Sequence, residues 1–226
     1  MTPPSSRRGP GRPPAVRVDD IAAAVLEIGF PDFTFAAVAA RLGVAQATLY
    51  RHAANREQLV AFGLDLAVSR YEWPDLDGPW RPLLERWAIA AWRAWEAHPG
   101  AVLELAGGVV PPSIVRLSDA IGAALVERGF TARDAVLAVD LVFDLASDSR
   151  RGVEALDAPR PEVGAAPRAG IEAVWRAEQR AGATAEVRAE MIRAITMEPI
   201  DWFRRKLQVV LAGIESTIIL TREQES

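Results

Sequence analysis

The strongest constraint on the fold is the run from Thr34 to Arg56, TFAAVAARLGVAQATLYRHAANR. Thr34 can cap a helix, because its hydroxyl can accept one of the free N–H groups at a helix N-terminus. Val38 and Leu42 follow four residues apart and so share one face of that helix. Gly43 comes next, where a residue that tolerates the left-handed conformation commonly ends a helix. The run therefore begins with a short helix that stops at a sharp turn.

A second short helix is predicted directly after this turn, over residues 45–51. Leu49 is its buried anchor, seven residues after Leu42, so the other side chains of the helix are free to face elsewhere. Two short helices joined in this way are typical of a helix-turn-helix, whose second helix lies in the major groove of DNA. Taken singly, the glycine could be only a turn; the combination carries the prediction.

The side chains of the second helix suit contacts with DNA. Gln46 can pair with adenine through two hydrogen bonds, and Thr48 can bond a base or a phosphate. Tyr50 can donate to a phosphate oxygen, although a tyrosine at helical spacing is often a core residue. Asn55 can cap a further helix whose N-terminus, with Arg56, attracts the same backbone. The candidate DNA-binding residues are Thr34, Gln46, Ala47, Thr48, Tyr50, Arg51, His52, Asn55, Arg56 and, in the N-terminal tail, Arg12.

The run resembles the DNA-binding domain of the TetR family of transcriptional repressors. The resemblance implies a homodimer that binds a nearly palindromic operator and that a small molecule in the C-terminal domain controls. It rests on Thr34, Val38-Ala39, Leu42-Gly43-Val44, Thr48-Leu49-Tyr50-Arg51-His52, Asn55-Arg56-Glu57 and Leu59.

The C-terminal half is also similar to this family, through motifs that are less specific. The segments GFTARDAVLAVDLVFDL and WFRRKLQVVLAGIEST resemble helices of the tetracycline-repressor subgroup. That subgroup holds a drug–magnesium complex through histidine, but here His52 is assigned to DNA and His98 alone makes a poor metal site. We therefore expect no metal and no cofactor.

Two other positions also differ from the family pattern. Ala36 stands where some members carry a base-reading arginine, and Ala53 stands where an aromatic residue is frequent.

The expected fold is all-α, with a three-helix helix-turn-helix domain followed by a helical bundle. Residues 1–16, rich in Pro, Arg and Gly, are either a solvated tail or a basic arm that reaches the minor groove. The DNA-binding domain is expected at residues 17–71 and the ligand-binding and dimerisation domain at residues 72–226. The WPDLDGPW stretch marks the boundary between them.

Apolar stripes predict the helices of both domains. The first begins with Asp19 or Asp20 as its cap, a central one spans residues 131–151, and residues 156–170 are predicted as a loop. A ligand pocket for a small hydrophobic or aromatic effector is expected to be lined by Trp87, Trp92, Trp95, Leu103, Val139, Phe143, Trp175 and Met191. For most of the tryptophans between residues 87 and 95, ordinary core packing is the alternative that the spacing favours. The dimer interface is expected to contain Val136, Asp140, Phe203, Leu207, Val210, Leu211 and Ile214.

Charge and composition support this division of the chain. Residues 1–56 hold seven arginines and four acidic residues, a net charge of +3, whereas the other 19 basic and 26 acidic residues give −7. A basic N-terminal segment followed by an acidic remainder is typical of a DNA-binding domain joined to a domain with another role. The absence of cysteine and of any long apolar run or secretory signal favours a cytoplasmic protein.

Two other classes of function compete with the ligand-responsive repressor. One is a constitutive DNA-binding regulator whose C-terminal domain only dimerises. The other is an enzyme, against which the sequence argues: it has no cysteine, no GxSxG motif, no metal-spaced histidines and no Gly-rich phosphate loop.

Overall fold

The structure, a computed structural model, describes residues 16–158, 167–177 and 181–219. Within these ranges it contains helices and no strands, so the all-α prediction is confirmed. No helix of the described part is long and apolar enough to cross a membrane. The expected N-terminal arm, including Arg12, lies outside the described residues apart from Val16.

Four helices build the N-terminal domain around a small apolar core. The first begins one residue earlier than predicted, with Arg17 rather than Asp19 or Asp20 in the cap position. Asp20 instead accepts a hydrogen bond from the Arg17 N–H at 3.0 Å, so its carboxylate satisfies a free donor from inside the first turn. The helices are α1 (Val18–Ile28), α2 (Phe35–Leu42), α3 (Gln46–Leu49) and α4 (Arg56–Arg70).

Helices α1 and α4 approach each other very closely. A Cβ atom added at Gly63 of α4 would lie 2.7 Å from Cγ1 of Val25 in α1. Val25 is fully buried and its branched side chain has little freedom to move away. The missing side chain at position 63 therefore sets how closely α4 packs on the rest of the N-terminal domain.

Seven further helices follow within the described ranges, and their boundaries correct two predictions. The central helix runs six residues past its predicted end, where an ion pair between Arg150 and Glu154 joins successive turns. A later helix already starts at Pro167, inside the predicted loop. The helices are α5 (Trp80–Glu96), α6 (Ala101–Ala106), α7 (Pro112–Glu127), α8 (Ala132–Asp157), α9 (Pro167–Ala177), α10 (Ala183–Thr196) and α11 (Pro199–Ile214), and a π-helical turn follows at Glu215–Ile219.

The two halves of the molecule meet along α5 and α6. Most of α5 packs with α8 and α11 in the C-terminal core. Near its end, however, Trp95 joins the apolar core of the N-terminal domain, together with Ala101 and Val102 of α6. The segment from the end of α5 into α6 is therefore built into both cores.

The WPDLDGPW stretch is fixed by specific contacts on both sides. Nε1 of Trp73 donates to the Val68 carbonyl of α4 at 2.9 Å, and its ring stacks on Trp87 of α5 with the centroids 5.3 Å apart. Arg128, at the end of α7, donates to the Gly78 carbonyl at 2.6 Å and to the Leu76 carbonyl. The stretch thus links α4 rigidly to the C-terminal bundle.

Candidate nucleic-acid interface

The turn of the helix-turn-helix has the geometry that the sequence predicts. Oγ1 of Thr34 accepts a hydrogen bond from the Ala37 N–H at 3.0 Å, which confirms it as the cap of α2. Gly43 ends α2 with φ 64° and ψ 32°, the left-handed conformation. The N–H of Val44 then donates back to the Ala39 carbonyl at 3.0 Å, closing the turn. Whether Thr34 also contacts DNA stays a prediction.

Helix α3 is shorter than predicted and covers only residues 46–49. Leu49 is fully buried and is the anchor that the sequence predicts. Its carbonyl accepts hydrogen bonds from the N–H groups of His52 and Ala53 at 2.8 and 2.9 Å, so the chain bends away directly after the anchor. Ala53 is itself buried, which means that a small side chain suffices at this bend. Residues 50–52 therefore form a turn at the end of α3.

The start of α3 faces solvent. Gln46 and Ala47 are exposed, and Thr48 is half-buried. Opposite them, Leu49 fixes the helix to the core. This leaves the first turn of α3 available to base edges, as docking of a recognition helix requires. Beyond α3, Arg51 is exposed and His52 half-buried.

Tyr50 is held in place by an aromatic stack rather than by burial. Its ring lies parallel to that of Phe35, with the centroids 4.5 Å apart and an interplanar angle of 9°. The side chain remains 54% exposed. The stack fixes the ring at the edge of the domain and leaves the phenol accessible, which is the arrangement that a donor to phosphate needs.

Helix α4 begins beside this surface with a side-chain cap. Oδ1 of Asn55 accepts a hydrogen bond from the Gln58 N–H at 3.0 Å, and Oε1 of Gln58 accepts one from the Ala54 N–H at 2.7 Å. The capping role predicted for Asn55 is thus confirmed. Because the cap uses the amide oxygen, the NH₂ group of Asn55 is left as a donor next to the positive end of a helix dipole.

Arg56 has a partner that local sequence analysis did not predict. Its Nη1 and Nη2 donate to the two carboxylate oxygens of Glu104 in α6 at 2.9 and 2.5 Å. The guanidinium also lies 4.6 Å from the centroid of the Phe33 ring. The hydrogen bonds to Glu104 raise the pKa of Arg56 further above its ordinary value, against the lowering effect of burial. Arg56 therefore joins the N-terminus of α4 to α6, 48 residues later.

The three tryptophans expected in the ligand pocket are buried core residues, and whether they also line a pocket stays a prediction. Trp92 is buried with its ring stacked on Phe203 at 4.8 Å, whereas Trp95 lies in the other core. Trp87 donates its Nε1–H to the Asp75 carbonyl at 3.1 Å. The three rings are thus divided between two apolar clusters, with Trp87 and Trp92 in one and Trp95 in the other.

The other expected pocket residues lie on four different helices. Leu103 is 57% exposed on α6, and Met191 is exposed on α10. Trp175 on α9 is half-buried, and the Arg188 guanidinium lies 5.4 Å from its ring centroid. Val139 and Phe143 do meet a cavity, a groove of about 230 Å³ between α7 and α8. The groove is lined by Ser118, Asp119, Gly122, Val136, Val139, Asp140, Phe143 and Asp144.

Most of the residues expected at the dimer interface are buried inside the protomer. These residues pack in the C-terminal core and have no surface to offer to a second subunit, which corrects the prediction for them. The apolar stripe of the last helix is real, but a stripe alone does not tell which partner covers it. The buried residues are Phe203, Leu207, Leu211 and Ile214, whereas Val210 is half-buried and Val136 and Asp140 are exposed.

The sequence comparison identifies the domain that carries this interface. Residues 20–61, which span α1 to the first part of α4, match the model of the bacterial regulatory proteins of the tetR family. The chain carries a TetR-family DNA-binding domain. No curated protein sequence matches the chain as a whole.

Solved structures of TetR-family proteins share the fold over nearly the whole chain. ActR of Streptomyces coelicolor in complex with actinorhodin aligns with a TM-score of 0.75 at 18% identity, covering 92% of this chain and 99% of its own. A possible TetR-family regulator from Streptomyces coelicolor A3(2) gives 0.70 at 24% identity, covering 88% and 97%. A TetR variant of Acinetobacter baumannii AYE in complex with minocycline gives 0.63 at 20% identity, covering 87% and 94%. At these identities the likeness establishes the all-α TetR-type fold.

Proposed function

We propose that the protein is a homodimeric transcriptional repressor that binds a nearly palindromic operator and is released by a small hydrophobic or aromatic effector. The observation that carries the proposal is the arrangement at the N-terminal end. An exposed first turn of α3, anchored by Leu49, is followed directly by a stacked Tyr50 and the capped N-terminus of α4. Base-reading and phosphate-binding groups are thereby presented together.

A second copy of the chain would cover the exposed apolar residues of α8 and α11. Leu137 and Leu141 lie on the open face of α8, one turn apart. Trp202 and Val209 are exposed on α11, and Val209 is 74% accessible. Large exposed apolar side chains on two adjacent helices are typical of a subunit interface. We assign these four residues to the dimer contact in place of the buried residues of α11.

A dimer explains how short recognition helices can read a specific site. Two copies of α3 related by a twofold axis would enter successive major grooves, about 34–36 Å apart or a multiple of that distance. The operator should then be an inverted repeat. Any rotation of α4 that changes the separation of the two α3 helices would weaken binding to it.

The contacts of α4 with the C-terminal bundle support control by an effector. Arg56 joins its N-terminus to Glu104 of α6, and Oδ1 of Asp65 accepts a hydrogen bond from the Ser113 N–H of α7 at 2.8 Å. A ligand that binds one arrangement of α6 and α7 more tightly than another would shift the equilibrium between the two arrangements, and α4 would move with it. The size of the shift is set by the difference between the two affinities. Structural relatives that hold actinorhodin or minocycline support a small-molecule effector.

Selection of DNA from a randomised pool by the purified full-length chain tests the proposed function. We expect an inverted repeat to be recovered and bound at nanomolar concentration by two chains, against non-specific binding of about 10⁻⁴–10⁻⁶ M at physiological salt. Recovery of no sequence would refute the repressor hypothesis. Operator binding that no small molecule weakens would favour the constitutive regulator instead.

Gln46→Ala is expected to relax the preference at one base pair of each half-site. The bidentate contact of a glutamine with adenine contributes about 1–3 kcal/mol of discrimination, so the loss should appear on the operator and not on random DNA. Tyr50→Phe is the matched control, because it removes a phosphate donor but keeps the stack on Phe35. It should weaken binding to both DNAs alike. Equal losses on operator and random DNA for Gln46→Ala would contradict its base-reading role.

A further inference from the structure

The groove between α7 and α8 combines an apolar wall with uncompensated negative charge. Asp119 contributes from α7, and Asp140 and Asp144 contribute from successive turns of α8. Among the described residues, no arginine or lysine makes a salt bridge with any of these three carboxylates. Two like charges four residues apart on a helix destabilise it slightly, so packing alone does not favour this arrangement.

The electrostatic environment of Asp144 also favours the binding of a cation in the groove. Burial raises the pKa of the Asp144 carboxyl above its ordinary value, and the negative charges of Asp140 and Asp148 raise it further. A carboxylate in such a position gains stability from any cation that enters the groove.

The groove also has an apolar contact surface, which three side chains provide. Val136, Val139 and Phe143 line the groove from α8, and an aromatic side chain such as Phe143 can attract a cation. Gly122 opens the wall on the α7 side, because a Cβ atom built there meets nothing within 4 Å. The volume of about 230 Å³ is just below the range of about 300–1,000 Å³ that is typical of pockets for small molecules.

We propose that the groove between α7 and α8 binds a small organic cation with a lipophilic body, such as a hydrophobic quaternary ammonium ion. The carboxylates supply the charge complement, and the apolar side chains hold the body of the ligand. A metal ion fits less well, because no three acidic or histidine side chains in the described part of the chain are close enough to share one. A delocalised charge on an organic ion does not need such convergent ligands.

The proposal deepens the effector hypothesis and rests on the proposed function only for its consequence, the release of DNA. One wall of the groove is α7, and the Ser113 N–H at the start of α7 donates a hydrogen bond to Asp65 of α4. A ligand in the groove is therefore placed to act on the DNA-binding domain through the contact between α7 and α4. Leu137 and Leu141 follow Val136 and Asp140 by one residue each, about 100° further round α8, so the proposed dimer contact lies on a neighbouring face.

Calorimetric titration of the full-length protein with benzyltrimethylammonium, without DNA, tests the site. We expect one saturable site per chain. Tetramethylammonium, which lacks the aromatic body, and neopentylbenzene, the uncharged isostere, should each bind at least about tenfold more weakly. Asp140→Asn combined with Asp144→Asn should weaken binding of benzyltrimethylammonium by at least about tenfold, and Gly122→Leu should abolish it by filling the groove.

Glu127→Gln is the matched control, since it removes one exposed carboxylate of α7 outside the groove and should leave the affinity unchanged. Circular dichroism of each variant confirms that it is folded. No saturable binding at millimolar concentration, or equal binding by the groove variants and the wild type, overturns the proposal. Failure of the proposed function would appear separately, as absent operator binding in the protein without any cation.

Discussion

Trp92→Ala is expected to lower the free energy of unfolding by about 3–5 kcal/mol, a large part of the stability of an ordinary domain. Trp92 is almost fully buried and its ring stacks on Phe203 at an interplanar angle of 24°, so α5 and α11 pack through this contact. The Arg150 guanidinium lies 5.6 Å from the same ring and pairs with Glu96 and Glu154. Removal of the ring would leave a cavity beneath this charged group. Urea unfolding at a fixed protein concentration measures the loss.

Trp92→Phe is the matched variant and should cost much less. It keeps an aromatic ring opposite Phe203 and removes the indole N–H, which is buried without a hydrogen-bond partner. If Trp92 instead lined an effector pocket, Trp92→Ala would change ligand affinity and leave the unfolding midpoint nearly unchanged. That result would support the predicted role of this residue in the ligand pocket.

The features that sequence analysis predicts correctly are local ones. Thr34, Gly43 and Asn55 act within a few residues of their own positions, and their capping and turn geometry follow from side-chain chemistry and backbone sterics. Leu49 is recognisable because its spacing from Leu42 fixes which face of a short helix is buried. The helix-turn-helix is therefore almost entirely predictable from a single sequence.

The features that sequence analysis misses depend on contacts between distant segments. The apolar stripe of α11 predicts a buried face, but Phe203 and Leu207 could be covered either by the same chain or by another. Trp92 and Trp95, three residues apart on α5, belong to different cores. The pairing of Arg56 with Glu104 carries no local signal at all, since an arginine near a helix N-terminus equally suits a phosphate.

Arg56→Ala and Glu104→Gln are expected to weaken operator binding by similar amounts, about tenfold or ~1.4 kcal/mol each. The bidentate contact fixes the N-terminus of α4 on α6, and either substitution removes it. Because both variants lose the same contact, the double variant should bind no more weakly than either single one. Fluorescence anisotropy with labelled operator at several salt concentrations measures affinity and its salt dependence together.

The salt dependence separates this role from a direct contact with DNA. A cation that neutralises a phosphate contributes about 0.9 to the slope of log affinity against log salt concentration. Arg51→Ala is the control, since Arg51 is exposed beside α3 and its loss should reduce the slope by about this amount. For Arg56→Ala we expect an unchanged slope, because its guanidinium is already occupied by a carboxylate that is only 17% exposed. A reduced slope, together with tighter binding by Glu104→Gln, would instead mean that Glu104 competes with the phosphate backbone for Arg56. In that case DNA itself would break the link between α4 and α6, and an effector that strengthens the link would promote release.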